Sequence, residues 1–358
     1  MIDRHLLDTV KSYLISVVEP LAICMDSNPH TLLKALMGLG ELGVLALRVP
    51  EDWGGRGVSE ETNSAFQELI ARYSGALAFL QTQHQSAAAM LAQSSNISLK
   101  EKYLPHMGNG RVLVGVGFSH LRRQDISLSA VPINGGYQLD GVVPWLTGWD
   151  LFQDFIVAAT LPDGRAVFGV VPFQESPEIA FSTVAQLAAI ASTNTVNATL
   201  TNLFLPEESV VFIKPAEWIH VNDRTNILRP TFLTLGCALA GLDIVEAAGM
   251  RKSLPFIQDA FESLNLEVKQ CRDAIVDGLQ HADMEMAEKL RLRAWTIDLA
   301  VRCAHAAIAV SSGGANYSHH AAQRVYREAL VFTVSGQTTA IMAATLHRLT
   351  NSRTVKLG

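Results

Sequence analysis

The hydrophobic period of this chain changes twice, and that fixes which layers it can build. From residue 1 to about 110, apolar residues recur every three or four positions, as in "HTLLKALMGLGELGVLAL" and "NSAFQELIARYSGALAFL". Such spacing predicts helices with one buried face. From about 111 to 215 the period drops to two, with turn residues between β-rich runs. "GYQLDGVV" holds Asp140-Gly141, which predicts a hairpin, and "FIVAATLPDGRAVFGVVPF" sets Pro162-Asp163-Gly164 between two strands. "TVNATLTNLFLP" alternates. From about 216 onward the helical period returns, and Leu292, Trp295, Leu299, Cys303, Ala306 and Val310 form the stripe of a bundle helix. The pattern predicts an α+β chain: an N-terminal helical domain (1–110), a compact antiparallel β domain (111–215) and a C-terminal helical bundle (216–358).

Local signals agree with that order. Pro50 and the paired glycines of "VPEDWGGRGVSEE" stop one helix, and Ser59 caps the next, with Glu60 and Glu61 in its first turn. The capping box is incomplete because Thr62 stands where Glu or Gln would close it. "PTFLTLGCALAGLDIVEAAG" is interrupted by Asp243 and Glu246, so it predicts a buried helix instead of a membrane span. Its Gly236, Ala238, Ala240 and Gly241 let neighbours pack close.

Composition removes several classes of function. A charge of −6, from 28 basic against 34 acidic residues without long runs, argues against nucleic acid, which needs concentrated Lys and Arg. With 49% hydrophobic and 17% charged residues the chain is globular and not disordered. Four cysteines at 24, 237, 271 and 303 are too sparse for a disulfide framework and show no metal spacing, which fits a reducing cytoplasm. "MIDRHLLDTVKSYL" carries charges where a signal peptide needs an apolar core.

Several motif readings fail on context. "GLGELG" at 38–43 matches Gly-x-Gly-x-x-Gly but follows a helical pattern, whereas pyrophosphate binding needs a strand before the loop and a helix start after it. "GVGFSH" at 115–120 has His120 in place of the third glycine. No His-Glu-x-x-His spacing exists, and the acids at 283, 285 and 288 in "HADMEMAE" are read as splayed around a helix surface. His319 and His320 are adjacent and point apart on any regular element, so no metal is expected. Neither a Gly-x-Ser-x-Gly elbow nor a phosphate-binding Gly-Lys-Ser/Thr is present.

Taken together and in order, five segments resemble the acyl-CoA dehydrogenase superfamily: "ELGVLALRVPEDWGGRGVS", "KEKYLPHMGNGRVL", "GGYQLDGVVPWLTGWD", "LTNLFLPEESVV" and "GGANYSHHAAQRVYREALVF". The resemblance implies a β-barrel-like central domain, a C-terminal four-helix bundle, FAD as cofactor, an acyl thioester or carrier-bound acyl substrate, and a homodimer or homotetramer. It places Trp145, Leu146 and Thr147 at the flavin ring system, with Trp145 beside the ring and Thr147 near its N5 edge. That suits a large aromatic and a nearby hydroxyl or N–H. Ser119 or His120 falls where the family's threonine touches flavin, and Gly313 and Gly314 match its cofactor-contacting glycines. Trp149 matches no family motif; a structural role and a lining of the substrate pocket are equally open.

The departures bear on activity. The glutamate that takes the α-proton in most of the family is replaced by Gly336, followed by Gln337, and the position used by a minority carries Leu228. Loss of such a base costs roughly 10²- to 10⁴-fold in rate. Glu328 is eight residues away, too far to stand in if the helix continues, and reads as an acid paired with Arg324 or Arg327. Asp243, Glu246, His120 and His319-His320 remain as other groups able to take a proton. The family's Thr-Glu-Pro-x-x-Gly-Ser-Asp loop is replaced by "FSHLRRQDIS", whose Arg122 and Arg123 form either a carboxylate or phosphate contact or a solvated pair. The Arg-x-x-Phe-Gly loop is lost from "MRKSLPFIQDAFESL", and Val310 stands where a glutamine would meet the cofactor, which points to weakened or lost FAD binding. Three readings follow: a flavin oxidoreductase with a non-standard base, a flavin-dependent monooxygenase that needs no such base, and a flavin-free binding or lyase-type protein.

Overall fold

A computed structural model describes residues 2–281 and 283–351. Six helices come first: α1 (Arg4–Tyr13), continued by a π-helical turn Leu14–Val18, α2 (Glu19–Met25), α3 (Pro29–Glu41), α4 (Glu60–Tyr73), α5 (Gly75–Ala92) and α6 (Ile97–Met107). Eight strands follow: β1 (Val114–Gly117), β2 (Leu128–Ile133), β3 (Gly136–Thr147), β4 (Asp154–Thr160), β5 (Ala166–Pro172), β6 (Ile179–Phe181), β7 (Thr195–Pro206) and β8 (Val210–Lys214). Helices close the chain: α7 (Trp218–Thr225), α8 (Thr231–Lys252), α9 (Pro255–Gln280), α10 (Met286–Ser311), α11 (Ala321–Val334) and α12 (Thr339–Asn351). These form two compact units. One contains Met1–Val10, Ser27–Asn63 and Phe79–Asn222; the other contains Lys11–Asp26, Ser64–Ala78 and Asp223–Gly358. The first 110 residues thus contribute to both.

In the first unit the sheet runs β6-β7-β3-β2-β4-β5-β8, with β1 also on β4. Most pairs are antiparallel, but β1 and β2 both run parallel to β4, β1 along Asp154–Val157 and β2 at Thr160 alone. Pro162-Asp163-Gly164 turns β4 into β5 as predicted, with Gly164 at φ 83 and its N–H donated to the Leu161 carbonyl at 2.9 Å. Asp140-Gly141 is not a hairpin. It lies inside β3 at a bulge opposite β7, where Gly141 takes φ 134 and the Asp140 carboxylate accepts the Asn202 N–H at 2.6 Å. The hairpin joining β2 to β3 turns six residues earlier, at Asn134-Gly135, with Gly135 at φ 78. Asn-Gly is the stronger hairpin dipeptide, and its two glycines in a row hid the choice between turn and strand start.

His84 ties the helices of this unit to the sheet. Buried completely on α5, it donates from Nε2 to the Met107 carbonyl at 3.1 Å and accepts at Nδ1 from the Val114 N–H at 3.0 Å. That pattern requires the neutral ring. Nearby, Gln85 accepts from the Leu47 N–H and donates to the Val44 carbonyl, so the loop after α3 is held by one amide side chain. "GLGELG" straddles the end of α3, as its helical context predicted, and Gly40 is required because a Cβ there would lie 2.7 Å from the Asn109 carbonyl oxygen.

In the second unit α8 is the central element. Fourteen of its residues are buried, including Phe232, Leu235, Leu242 and Val245. A Cβ at Gly236 would meet the Glu68 carbonyl oxygen at 2.2 Å, and one at Gly241 the Cys303 backbone at 2.7 Å, so α8 packs backbone to backbone on α4 and α10. Cys237, Cys271 and Cys303 are buried thiols; burial pushes Cys271 up to about 11 and Cys303 to about 12, so they pack and do not react. The stripe on α10 is met in the structure by Leu292, Leu299 and Cys303, each fully buried. The acids at 283, 285 and 288 do not share one helix surface: Asp283 and Glu285 precede α10, and only Glu288 is helical, paired with Arg291 at 2.6 Å. Ser59 caps α4 by accepting the Thr62 N–H at 3.3 Å.

Two outcomes are expected. Gly241→Ala forces α8 off α10 and should lower unfolding free energy by about 2–3 kcal/mol in urea denaturation. Burial holds His84 at about 4, below its ordinary 6.5. The unfolded chain therefore takes the proton first, so stability should be full above about 6.5 and decline between 6.5 and 4, by as much as roughly 3 kcal/mol. His84→Gln, measured by urea midpoints across that range, should flatten the decline.

Candidate functional site

Trp145 owes its position to a bulge. In the pairing of β3 with β7, Val143 faces Ala198 and Leu146 faces Val196, so Pro144 and Trp145 together oppose Asn197 alone. Pro144 has no N–H for the ladder, which a strand interior accepts at such an irregularity. Trp145 takes φ 56, a left-handed value costing a tryptophan roughly 1–3 kcal/mol, and its N–H is donated to Asn197 Oδ1 at 3.2 Å. The extra residue resets the alternation. Val143 and Leu146 are fully buried, while Trp145 is 59% exposed. Backbone strain is thus used to hold a large aromatic outside the sheet.

Its neighbours are arranged differently from the sequence reading. Leu146 points into the sheet beside Gly117, and its side chain offers nothing to a ligand. Thr147 is 4% exposed and its hydroxyl is bonded to the Thr195 hydroxyl at 3.0 Å. Trp149 sits in an aromatic cluster, 4.2 Å from Phe181 at 33° and 5.5 Å from Phe173, and its backbone is pinned to Asn194. Of the two readings, the structure supports packing: the ring stiffens the turn after β3.

"FSHLRRQDIS" forms a single 3₁₀ turn, Ser119–Arg122, packed against β3 and β4. Ser119 is exposed. His120 is 3% exposed, and its Nε2 donates to the Ala158 carbonyl at 2.8 Å. A carbonyl only accepts, so the proton sits on Nε2 and Nδ1 is a bare acceptor, buried without a partner. Burial, aided by the charge of Arg123, holds the ring neutral against the bond to Ala158. Arg122 is half-buried and Arg123 exposed on the same turn, and the Arg123 N–H closes it on the His120 carbonyl at 2.9 Å.

In the other unit, Gly313 and Gly314 lie in the 3₁₀ segment Ser312–Asn316, and a Cβ on Gly313 would meet nothing within 4 Å. The Val310 carbonyl accepts from Lys252 Nζ at 2.6 Å. The lost Arg-x-x-Phe-Gly loop corresponds to a two-residue link, Ser253-Leu254, between α8 and α9, with Ser253 at φ 52. Gly336 lies beyond the end of α11, at φ 63, so it is not on the continuous helix assumed from the sequence.

Glu328, Asp243, His319 and His320 are engaged in structure. Glu328 is fully buried; it accepts from Arg324 Nη1 at 2.7 Å and from the Gly75 N–H at 3.0 Å. Burial outweighs Arg324 and pushes its carboxyl up. Arg327 pairs instead with Asp26, Asp243 with Arg72, and Leu228 lies in the bundle core. His319 stacks on Tyr317 at 5.3 Å, and His320 caps α11 by accepting the Ala322 N–H at 3.1 Å. Among the described residues no cluster of His, Cys, Asp and Glu suits a metal. Sequence reasoning missed Asn197, the residue that holds the bulge; the proline inside an alternating run, next to tryptophan, was the available signal.

Residues 3–111 match the family model "Acyl-CoA dehydrogenase, N-terminal domain". Among curated proteins, the chain is 25% identical over 181 residues to the mitochondrial isovaleryl-CoA dehydrogenase of Arabidopsis thaliana, covering 48% of this chain and 44% of that protein. It is 31% identical over 144 residues to the mitochondrial very long-chain specific acyl-CoA dehydrogenase of Rattus norvegicus, covering 38% and 22%. The matched stretch thus spans less than half the length of these relatives. Among solved structures, butyryl-CoA dehydrogenase from Megasphaera elsdenii has the same fold, with a TM-score of 0.81 at 15% identity over 98% of this chain and 99% of that one. A glutaryl-coenzyme A dehydrogenase complex superposes equally well, with a TM-score of 0.81 at 20% identity over 97% and 95%. Residues 3–111 thus match the family's N-terminal domain, and the whole chain has the fold of the solved acyl-CoA dehydrogenases.

Proposed function

We propose that the chain is an FAD-dependent oxidoreductase acting on an acyl thioester or a related small molecule, with a proton acceptor other than the family's glutamate. The observation that carries this reading is the exposed indole of Trp145, held at φ 56 by a bulge that has no other evident use. A protein seldom holds a large apolar ring outward at the cost of strain unless something planar covers it. Trp145 would lie against the flavin ring system, with Ser119 and His120 beside it. The bare Nδ1 of His120 fits this reading, since it is a buried acceptor suited to a ligand's N–H. When bound, FAD would supply a two-electron acceptor for hydride.

The chain's own groups have narrower tasks. Trp145 orients and excludes water from one side of a planar ring, and neutral His120 accepts a hydrogen bond without taking a proton at neutral pH. Arg122 and Arg123, on the same turn as His120, would meet a carboxylate or phosphate on the substrate's carrier. Neither base position of the family offers an acceptor, because Gly336 has no side chain and Leu228 is in the core. That same observation supports the second reading, a flavin-dependent monooxygenase, whose chemistry needs no α-proton base. Exposed apolar positions at 326, 330 and 334 on α11 and at 342, 346 and 349 on α12 support assembly as a homodimer or homotetramer.

The deciding experiment is the visible spectrum after incubation with FAD and removal of the excess. Bands at about 370 and 450 nm are expected; a colourless protein would instead favour the flavin-free binding or lyase-type reading. Trp145→Ala should weaken FAD about tenfold by fluorescence titration, the worth of one aromatic contact, and unchanged affinity would remove Trp145 from the site. With an acyl-CoA panel under anaerobic conditions, wild type should bleach slowly and Gly336→Glu roughly 10²-fold faster. Oxygen uptake that depends on a flavin reductase, without anaerobic bleaching, would select the monooxygenase.

A further inference from the structure

Arg293, on α10, is the largest fully buried side chain among the described residues, 1% exposed. A guanidinium carries five N–H donors. Here Nη2 donates to the Ser335 carbonyl at 2.9 Å, while Nε and Nη1 meet no acceptor among the described residues. The other buried or half-buried arginines of this unit are balanced: Arg72, Arg272, Arg302, Arg324 and Arg327 each face a carboxylate. Arg293 faces none. Burial alone pulls it down to about 10, which still leaves it charged at neutral pH. A buried charge with one neutral carbonyl for company is costly, and a water molecule would satisfy N–H groups without supplying the missing charge.

The place matters as much as the charge. Ser335 opens the link between α11 and α12, and the next residue is Gly336, where a Cβ would meet nothing within 4 Å. Open space therefore lies one peptide unit from the carbonyl that Arg293 holds. Val334 and Gly336 are exposed and Ser335, Gln337 and Thr338 only half-buried, so the link is reachable from solvent. One hydrogen bond ties it to Arg293.

We propose that Arg293 and the link Ser335–Thr338 form a binding site for a small carboxylate, which enters beside Gly336 and takes an edge of the guanidinium. A carboxylate is planar with two acceptor oxygens, matching that edge with paired bonds, and it brings the charge that the bundle lacks. The site does not depend on flavin being bound.

The test uses the full chain, with acetate as the probe. Thermal unfolding is followed in sodium acetate and in sodium chloride at equal ionic strength, with sodium phosphate as a third arm. For wild type the midpoint should rise with acetate, by about 2 °C at tenfold excess over the dissociation constant, and stay flat in chloride. Arg293→Met should lose the acetate response, and Arg293→Lys, a point charge without a fork, should need at least about fivefold more acetate for the same shift. Equal midpoints of wild type in acetate and chloride would overturn the proposal, as would a response retained in Arg293→Met. A phosphate response as large as that to acetate would overturn the carboxylate assignment. Should Arg293→Met not fold, an undiminished acetate affinity in Arg293→Lys decides against the paired geometry.

Discussion

Strand β3 must stay paired to β7 through Thr147 and still put one aromatic side chain outside, and the first unit is built around that requirement. It pairs with β2 over Gly136–Gly141 and with β7 from Gly136 to Thr147, so it cannot simply end where Trp145 is needed. Two residues against one at Asn197 resolves the conflict. The ladder resumes at Leu146 and Thr147, whose inward side chains lock the strand back into the sheet through Gly117 and Thr195. The aromatic cluster of Trp149, Phe173 and Phe181 then fixes the turn that follows. Strain at Trp145 is tolerated because structure on both sides of it is over-determined.

That arrangement also explains which parts of the fold were legible in the sequence. Periodicity found the helical and β stretches because burial on one face is a repeated, additive signal. The Pro162-Asp163-Gly164 turn and the Ser59 cap were legible because each depends on a few adjacent residues. Gly236 and Gly241 were legible as close-packing sites within an apolar run. Asp140-Gly141 was misread, since a glycine needed for φ 134 in a bulge looks the same in sequence as one needed in a turn. Only pairing with β7 separates the two, and pairing is long-range.

The candidate site was legible more coarsely. Trp145 and the turn at 119–122 were singled out by the resemblance, but side-chain direction was not readable. A bulge shifts alternation by one, so Leu146 and Thr147 point inward although they flank the exposed tryptophan. His120 was noted for its position; its orphaned Nδ1 follows from the Ala158 carbonyl on a strand 38 residues away. Arg293 was passed over because one arginine within an apolar helical stripe looks like a surface residue until the neighbouring helices are packed around it.

The second unit shows how the bundle treats charge. Glu328 is bonded twice within its own unit, to Arg324 and to the Gly75 N–H, and a Cβ on Gly75 would lie 2.7 Å from its carboxyl carbon. Such a carboxylate cannot swing out to remove a proton without leaving the Gly75 N–H and the buried Arg324 unpaired, at a cost of several kcal/mol. The acid closest in sequence to Gly336 is thus fixed in place by the packing that makes the bundle. Any proton acceptor for chemistry on this scaffold must therefore come from outside α11, from the substrate, or from a small anion in solution.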